Sequence, residues 1–484
     1  MSSLKVLSVA SEVFPLVKTG GLADVAGALP GALKPEGVEM RTLVPGYPAI
    51  RNKLADATVV RDYADLFGGP ARVLAGQAGG LDLFAIDAPH LYDRPGNPYL
   101  GPDGLDWPDN ARRFAALARV GADIGLGAIA AFEPEIVHAH DWQAALAPAY
   151  LVFARGRRPG SMVTVHNLAF QGHFPISVFG ELGLPDSALS INGVEYFGGV
   201  GYLKAGIRLA DSITTVSPTY AHEILTAEFG MALDGLLRAR ASAVQGILNG
   251  IDDGVWNPAT DRVLPQTFTA TKIDARIRNK TALQAKLGLA PGADRPLFAV
   301  VSRLSEQKGL DLLLRALPAL TAKGAQLALL GSGERTLEIG FAEAATAGAG
   351  LISCAFGYDE RLAHLLQAAA DFVVVPSRFE PCGLTQLCAL RYGAPPIVSR
   401  VGGLADTVID ANEAALMAGV ATGVQFSPLS VEALVYALDR ALAIFRDPPT
   451  MRRLRLNGMR ADVSWRGPAQ RYAALYRSIA RPSA

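Results

Sequence analysis

A chain of 484 residues is longer than one hydrophobic core usually supports, so its length favours two or more domains. Half of the residues are apolar, 19% are charged, and 45 basic side chains cancel 45 acidic ones. That balance belongs to a globular protein and excludes disordered, fibrous and disulfide-rich classes. No block of like charge indicates a nucleic-acid or membrane-surface partner, and no stretch reaches transmembrane length without interruption. The run Met1 to Ala10 is too brief for a signal-peptide core, and Cys354, Cys382 and Cys388 lack the paired spacing of a zinc or redox site, so the chain reads as cytoplasmic with reduced thiols.

Short apolar runs at Val6–Ala10, Ile136–His140, Met162–Val165, Ile213–Val216, Phe298–Val301, Leu327–Leu330 and Phe372–Val375 have the look of parallel strands buried on both faces. Helical patterns such as Arg112–Ile129, Leu310–Ala322 and Val431–Phe445 supply the crossovers, which makes the fold class α/β. The opening order of strand, Gly-containing loop and helix returns near residue 296, which predicts two doubly wound, Rossmann-like domains. The turn-rich Asn249-Gly250-Ile251-Asp252-Asp253-Gly254 marks the boundary region, giving domains at 1–245 and 246–460. In the remaining 461–484, Tyr472, Leu475, Tyr476 and Ile479 form a helical stripe able to pack back on the first domain.

The chemistry-bearing residues follow the strands. Lys18-Thr19-Gly20-Gly21 comes after the first, where glycines admit an anion and Lys18 adds a compact positive charge; a tight turn with a solvated lysine fits the pattern equally well. His138-Ala139-His140-Asp141-Trp142 contains metal-ligand types, but no second cluster completes a shell, so core or cleft hydrogen bonding is the better reading. His166-Asn167, at another strand end, is a stronger candidate for sugar contact, the alternative being a histidine satisfied in the core, while Asp252-Asp253 reads as turn chemistry. Arg303 and Lys308 stand at the carboxyl end of a second-domain strand, where open α/β sheets bind ligands and paired cations can grip a diphosphate; two solvated surface cations are the other reading. Glu380 precedes Cys382-Gly383-Leu384-Thr385, and its carboxylate suits substrate hydroxyls or a helix cap. Gly20-Gly21-Leu22-Ala23-Asp24 recurs as Gly402-Gly403-Leu404-Ala405-Asp406, and either copy could offer backbone N–H groups at a helix start.

Taken together and in order, these motifs resemble the bacterial glycogen synthase and plant starch synthase family of retaining glycosyltransferases with the two-domain GT-B fold. The resemblance runs from Lys18-Thr19-Gly20-Gly21-Leu22 through His140-Asp141-Trp142-Gln143, Thr164-Val165-His166-Asn167 and Asn249-Gly250-Ile251-Asp252. It continues through Ser302-Arg303-Leu304 with Gln307-Lys308-Gly309, then Pro376 to Gln386, to Gly402-Gly403-Leu404-Ala405-Asp406. It implies two domains facing a central cleft, an ADP-glucose donor, an α-1,4-glucan (glycogen) acceptor, and no cofactor or metal. It places Glu380, His166, Asp141, Lys308 and Arg303 at catalytic positions. Lys18, Gly20, Gly21, Asp24, Asn167, Asn249, Cys382, Gly383, Leu384 and Thr385 fall at substrate-binding positions, with Tyr358 stacking on the base. Many retaining relatives carry a second Glu eight positions after the first; here Cys388 stands there, as expected within the glycogen synthase branch. No pair of carboxylates nominates itself as nucleophile and acid, so a glycosidase-like double displacement is not supported. Two other readings remain at this level: a catalytically silent glucan- or nucleotide-binding module, and a phosphorylase, whose pyridoxal phosphate would show in visible absorbance.

Overall fold

The computed structural model describes residues 3–481; those parts of the expected segments 1–245 and 461–484 that lie beyond these limits are outside the described residues. The chain divides into two compact units, Met1–Asn249 with Trp465–Ala484, and Gly250–Ser464. Both are α/β, and each contains a predominantly parallel sheet.

In the first unit, β1 (Leu4–Val9), β2 (Val38–Pro45), β3 (Ala55–Tyr63), β4 (Ala71–Ala78) and β5 (Leu81–Asp87) are followed by β6 (Ile136–His140) and β7 (Gly160–Val165). A three-stranded insert of β8 (His173–Pro175), β9 (Glu195–Tyr196) and β10 (Gly199–Gly201) precedes β11 (Ser212–Thr215) and β12 (Val244–Gly246). The large sheet runs β12-β11-β7-β6-β1-β2-β5-β4-β3. The chain leaves β1 toward β2 on one side and later returns to β6 on the other, so the order reverses between β1 and β6. That reversal opens a crevice at the carboxyl ends of the two strands.

The second unit repeats the device in a smaller sheet. Strands β13 (Leu297–Val301), β14 (Gln326–Gly331), β15 (Ile352–Phe356), β16 (Phe372–Val375), β17 (Pro396–Ser399) and β18 (Val424–Phe426) lie in the order β15-β14-β13-β16-β17-β18, all parallel. Its reversal falls between β13 and β16.

Two features depart from the sequence reading. The far edge of the first sheet is antiparallel, β3 with β4 and β4 with β5. Such strands are wetted on one face, and the mixed burial of β4 hides them from a search for doubly apolar runs. The helix expected over Arg112–Ile129 spans Asn110–Gly125 instead, because Gly127 takes a left-handed conformation, φ 90°, that breaks the helical path.

The helix Arg466–Ile479 packs on the helix Gly21–Leu33, burying Trp465, Tyr472 and Tyr476 against Val25, Leu29 and Leu33. It is also pinned by polar contacts: Arg471 donates to the Gly246 carbonyl at 2.7 Å, and the Tyr476 hydroxyl meets His138 Nδ1 at 2.8 Å. His138 Nε2 lies 2.6 Å from the Thr164 hydroxyl, so both ring nitrogens are satisfied in the core, and burial keeps the ring neutral. Tyr476→Phe strands one of those nitrogens, a cost of about 1–2 kcal/mol. Calorimetry of this variant should therefore show a lowered thermal midpoint with turnover per folded molecule retained.

Candidate active site

At the first unit's reversal, the loop after β1 carries Lys18-Thr19-Gly20 into the helix Gly21–Leu33. Gly20 is the N-cap in an extended conformation, φ −156°, and no side chain caps the helix, so its first-turn amides are available to an anion. Lys18 is exposed and pairs with Asp24 at 2.8 Å. Glu12, which sequence reasoning passed over, is buried beneath this loop. Its carboxylate accepts from the Thr19 N–H and hydroxyl and from the Gly20 N–H. The available signal was a lone carboxylate within the apolar run at a strand's carboxyl end.

Across the reversal, β6 delivers Asp141 in a left-handed conformation, φ 54°, which costs a non-glycine residue about 1–3 kcal/mol. That geometry turns its carboxylate onto the chain leaving β7: Oδ1 accepts from the N–H of His166 at 2.7 Å and of Asn167 at 3.4 Å. Burial pushes the Asp141 carboxyl up to about 7, against the pull of those two amides. His166 is pushed down to about 3 by burial, and its Nε2 lies 3.0 Å from His140 Nδ1. His140 Nε2 and Asn249 Oδ1 are buried with no hydrogen-bond partner among the described residues. Buried polar atoms of that kind are uncommon and point to a water or ligand contact. Asn167 uses its side-chain oxygen locally, accepting from Ala169 N–H at 3.0 Å.

The second unit's reversal gathers the other set. Arg303 follows β13 and is exposed; its carbonyl accepts from the Ser302 hydroxyl at 3.1 Å, and its guanidinium has no hydrogen bond or ion pair among the described residues. Lys308 closes a single 3₁₀ turn, Glu306–Lys308, and its ammonium lies 2.6 Å from Glu380 Oε2. The same oxygen accepts from the Ser377 hydroxyl at 2.9 Å, which leaves Oε1 without a hydrogen bond among the described residues. Glu380 is only 6% exposed. Arg378 braces both loops, forking onto Asp311 at 2.6 and 2.8 Å and donating to the Glu306 carbonyl at 2.7 Å. Gly383 is left-handed, φ 74°, and Gln386 Nε2 donates to the carbonyls of Cys382 and Gly383 at 2.9 and 2.8 Å, which fixes the path of Cys382-Gly383-Leu384. Thr385 Oγ1 donates to the Val301 carbonyl at 3.3 Å. Tyr358 follows β15, 75% exposed, with its hydroxyl on Glu360 at 2.9 Å.

The repeated pentapeptide plays two roles. The first copy opens the uncapped helix start beside Lys18. The second is packed: Gly403 N–H donates to the Glu380 carbonyl at 3.0 Å, and a Cβ on Gly403 would sit 2.4 Å from Cys382 Cα. It supports the Glu380 loop, and it too opens a helix, Gly402–Thr407, whose N-cap Val401 supplies no side-chain cap. Cys388 is buried with Leu387 and Ile251 in an apolar cluster under its helix, so the position of the second Glu has become part of the packing. Asp252 caps its own turn, accepting from Gly254 N–H at 2.8 Å.

Two family models match the chain in succession, the starch synthase catalytic domain over residues 5–239 and glycosyl transferases group 1 over residues 285–459. Two α/β units with these matches define a glycosyltransferase of the GT-B class. Among curated proteins, a glycogen synthase of Rhodopseudomonas palustris is 60% identical, covering 99% of this chain and 99% of its own. A glycogen synthase of Methylocella silvestris is 59% identical over 99% of this chain and 100% of its own. The catalytic domain of starch synthase IV from Arabidopsis thaliana, solved with ADP and acarbose, superposes with a TM-score of 0.90 at 32% identity, over 99% of this chain and 100% of that one. Sucrose-phosphate synthase from Thermosynechococcus elongatus, at 18% identity and a TM-score of 0.59 over 98% of each chain, shares the fold. The chain belongs to the bacterial glycogen synthase and plant starch synthase family.

No helix among the described residues is long and apolar enough to cross a membrane.

The Asp141 geometry generates a pH prediction. A carboxyl raised from 3.8 to about 7 on folding stabilises the protein fully at pH below its unfolded value, and that contribution is lost as pH rises through about 7. Asp141→Asn keeps an acceptor for the two amides and cannot ionise. Between about pH 6 and pH 8 the variant should gain on the wild type by about 1 kcal/mol. Thermal midpoints of both proteins across this range check it, and parallel curves would show that Asp141 does not ionise there.

Proposed function

We propose that this chain is a cytoplasmic hexosyltransferase that moves glucose from ADP-glucose to the nonreducing end of an α-1,4-glucan with retention of configuration, releasing ADP in glycogen biosynthesis. The observation that carries the reading is the pairing of Lys308 with Glu380 at the second sheet's reversal, with Arg303, whose guanidinium has no partner among the described residues, also following β13, in a chain 60% identical over its length to glycogen synthases. The likeness to a starch synthase solved with ADP and acarbose supports the choice of donor and acceptor chemistry.

Transfer must stabilise a departing diphosphate while positive character grows on the glucose ring. Arg303 and Lys308 supply fixed positive charge to the first task; Lys308 keeps N–H donors to spare beyond the one on Glu380. Glu380 suits the second, because Lys308 and Ser377 hold one carboxylate oxygen while the other remains open to a glucose hydroxyl. Tyr358 offers an exposed ring for base stacking. In the first unit, Lys18 and the start of the helix at Gly20-Gly21 form an anion site for the donor, with Asp24 setting the lysine's position. Asp141, His166, Asn167 and Asn249 contact glucose and acceptor hydroxyls; at neutral pH burial leaves His166 uncharged, so it acts as a hydrogen-bonding group and not as a cation. Cys382, Gly383, Leu384 and Thr385 shape the loop against which the donor rests. Two cations on the diphosphate do the work that a divalent ion does elsewhere, so activity should survive chelation; loss on EDTA with recovery on magnesium would contradict this.

The identity test is a donor panel with glycogen as acceptor, following nucleotide release. ADP-glucose should be used in preference to UDP-glucose, and release of glucose 1-phosphate from glycogen plus phosphate, without nucleotide sugar, would replace the reading with a phosphorylase. Within it, Glu380→Gln should lower kcat far more than it raises KM for ADP-glucose, whereas Lys308→Gln should worsen both by about ten-fold or more. A Glu380→Gln enzyme that melts earlier yet turns over normally would reduce Glu380 to a structural part.

A further inference from the structure

The Lys18 loop lies on a buried carboxylate that the reaction described above does not use. Four donors converge on Glu12: the Thr19 N–H, the Thr19 hydroxyl at 2.6 Å, the Gly20 N–H at 3.3 Å, and the Tyr99 hydroxyl. Glu12 is 3% exposed, and the Tyr99 oxygen is itself 2.8 Å from the buried Ser11 hydroxyl. A carboxylate offers about four lone-pair sites. With all of them engaged, Glu12 has none left for a sugar hydroxyl or a proton in transfer.

A negative charge under an anion-binding loop is at first sight a disadvantage, since it repels the diphosphate that Lys18 is there to attract. Its placement accounts for it. From Lys18 to Gly20 the backbone N–H groups make no other hydrogen bond among the described residues; the neighbouring anchors are Val17 N–H to Val13 and Phe14 N–H to Ala23. The Lys18–Asp24 pair is part-exposed, and exposed pairs are worth little, about 0–1 kcal/mol. Glu12 is therefore what fixes the path between β1 and the helix Gly21–Leu33. Tyr99 sits in the connection that follows β5, where its carbonyl accepts from Trp107 N–H at 3.1 Å and from Asn110 Nδ2 at 3.0 Å. One carboxylate thus ties together two connections of the first unit.

We propose that Glu12 is a positioning residue for donor binding: by accepting from Thr19, Gly20 and Tyr99 it holds the Lys18 loop in its anion-binding shape, and it acts through hydrogen bonds and not through its charge. The proposal rests on the reading that Lys18 meets the donor.

The distinction from a charged role is experimental, because glutamine can keep the same pattern. Its oxygen can accept from the two backbone amides while its NH₂ donates to the Thr19 and Tyr99 hydroxyls, each of which can turn to accept. Glu12→Gln should accordingly stay within about three-fold of the wild type in KM for ADP-glucose, whereas Glu12→Leu should raise it by about ten-fold or more, with the KM for glycogen little changed. Thr19→Val, at an exposed position that leaves the core intact, removes one of the four donors and should raise the donor KM by about three-fold while the protein still folds, its thermal midpoint lowered only modestly. That variant keeps the test open should Glu12→Leu fail to fold. Lys18→Ala, run alongside, isolates the underlying reading: an unchanged donor KM there removes Lys18 from the donor site. If Lys18→Ala is impaired but Glu12→Leu or Thr19→Val binds donor as the wild type does, the clamp alone is overturned. Glu12→Gln as damaged as Glu12→Leu would overturn it too, since charge and not hydrogen bonding would then be what matters.

Discussion

Lys308 and Glu380 come within 2.6 Å of each other because the residue after Lys308 has no side chain. Gly309 is left-handed at φ 65°, and a Cβ there would lie 1.9 Å from the Pro376 carbonyl oxygen. No rotamer relieves a collision with backbone, so at this position only glycine lets the turn after β13 touch the loop after β16. Once they touch, the other contacts fall in reach: Arg378 N–H to the Gln307 carbonyl at 2.8 Å, the fork of Arg378 on Asp311, and Gly403 under the Glu380 carbonyl. The pair is thus held by backbone as well as by attraction. Breaking a fully buried pair by removing one member costs about 3–5 kcal/mol; here the lysine keeps some access to water, and the lower end applies.

The two units solve the same topological problem with opposite electrostatics. Each places chemistry where strand order reverses, between β1 and β6 and between β13 and β16. In the second unit the reversal holds opposite charges close together, and the chain after β13 carries a further guanidinium. In the first, burial moves Asp141 and His166 toward their neutral forms, while the buried Glu12 is surrounded by donors. Apart from Lys18 at the helix start, the first unit's edge thus offers mainly uncharged hydrogen-bonding groups, whereas the second concentrates charge.

Much of this was legible in the chain. Parallel strands announce themselves as doubly apolar runs; Asp141, His166 and Arg303 each stand just beyond such a run, where a side chain is delivered to the sheet edge, and Lys18 and Glu380 sit in the loops that follow one. What stayed hidden shares a different physics. Glu12 and Ser377 act through contacts to residues whose proximity only the folded backbone creates; nothing in the local pattern around Ser377 separates it from a solvated serine. Gly403, the second glycine of the repeated Gly-Gly-Leu-Ala-Asp, is packed beneath Cys382 and donates to the Glu380 carbonyl, contacts made with a loop some twenty residues away that nothing within the pentapeptide signals. The antiparallel edge was missed for a similar reason, because one-faced burial is a weaker periodic signal than two-faced burial.

Lys308 and Glu380 form one unit, with the lysine positioned by the carboxylate and the carboxylate by the lysine. The most direct test is a double-mutant cycle on kcat/KM for ADP-glucose, comparing Lys308→Gln, Glu380→Gln and the double variant. A shared unit predicts strong non-additivity, with the double variant scarcely worse than the more damaged single one and a coupling of about 1–3 kcal/mol. Losses that simply add would mean that the two residues act independently, and that their contact at the sheet's reversal is not what organises the site.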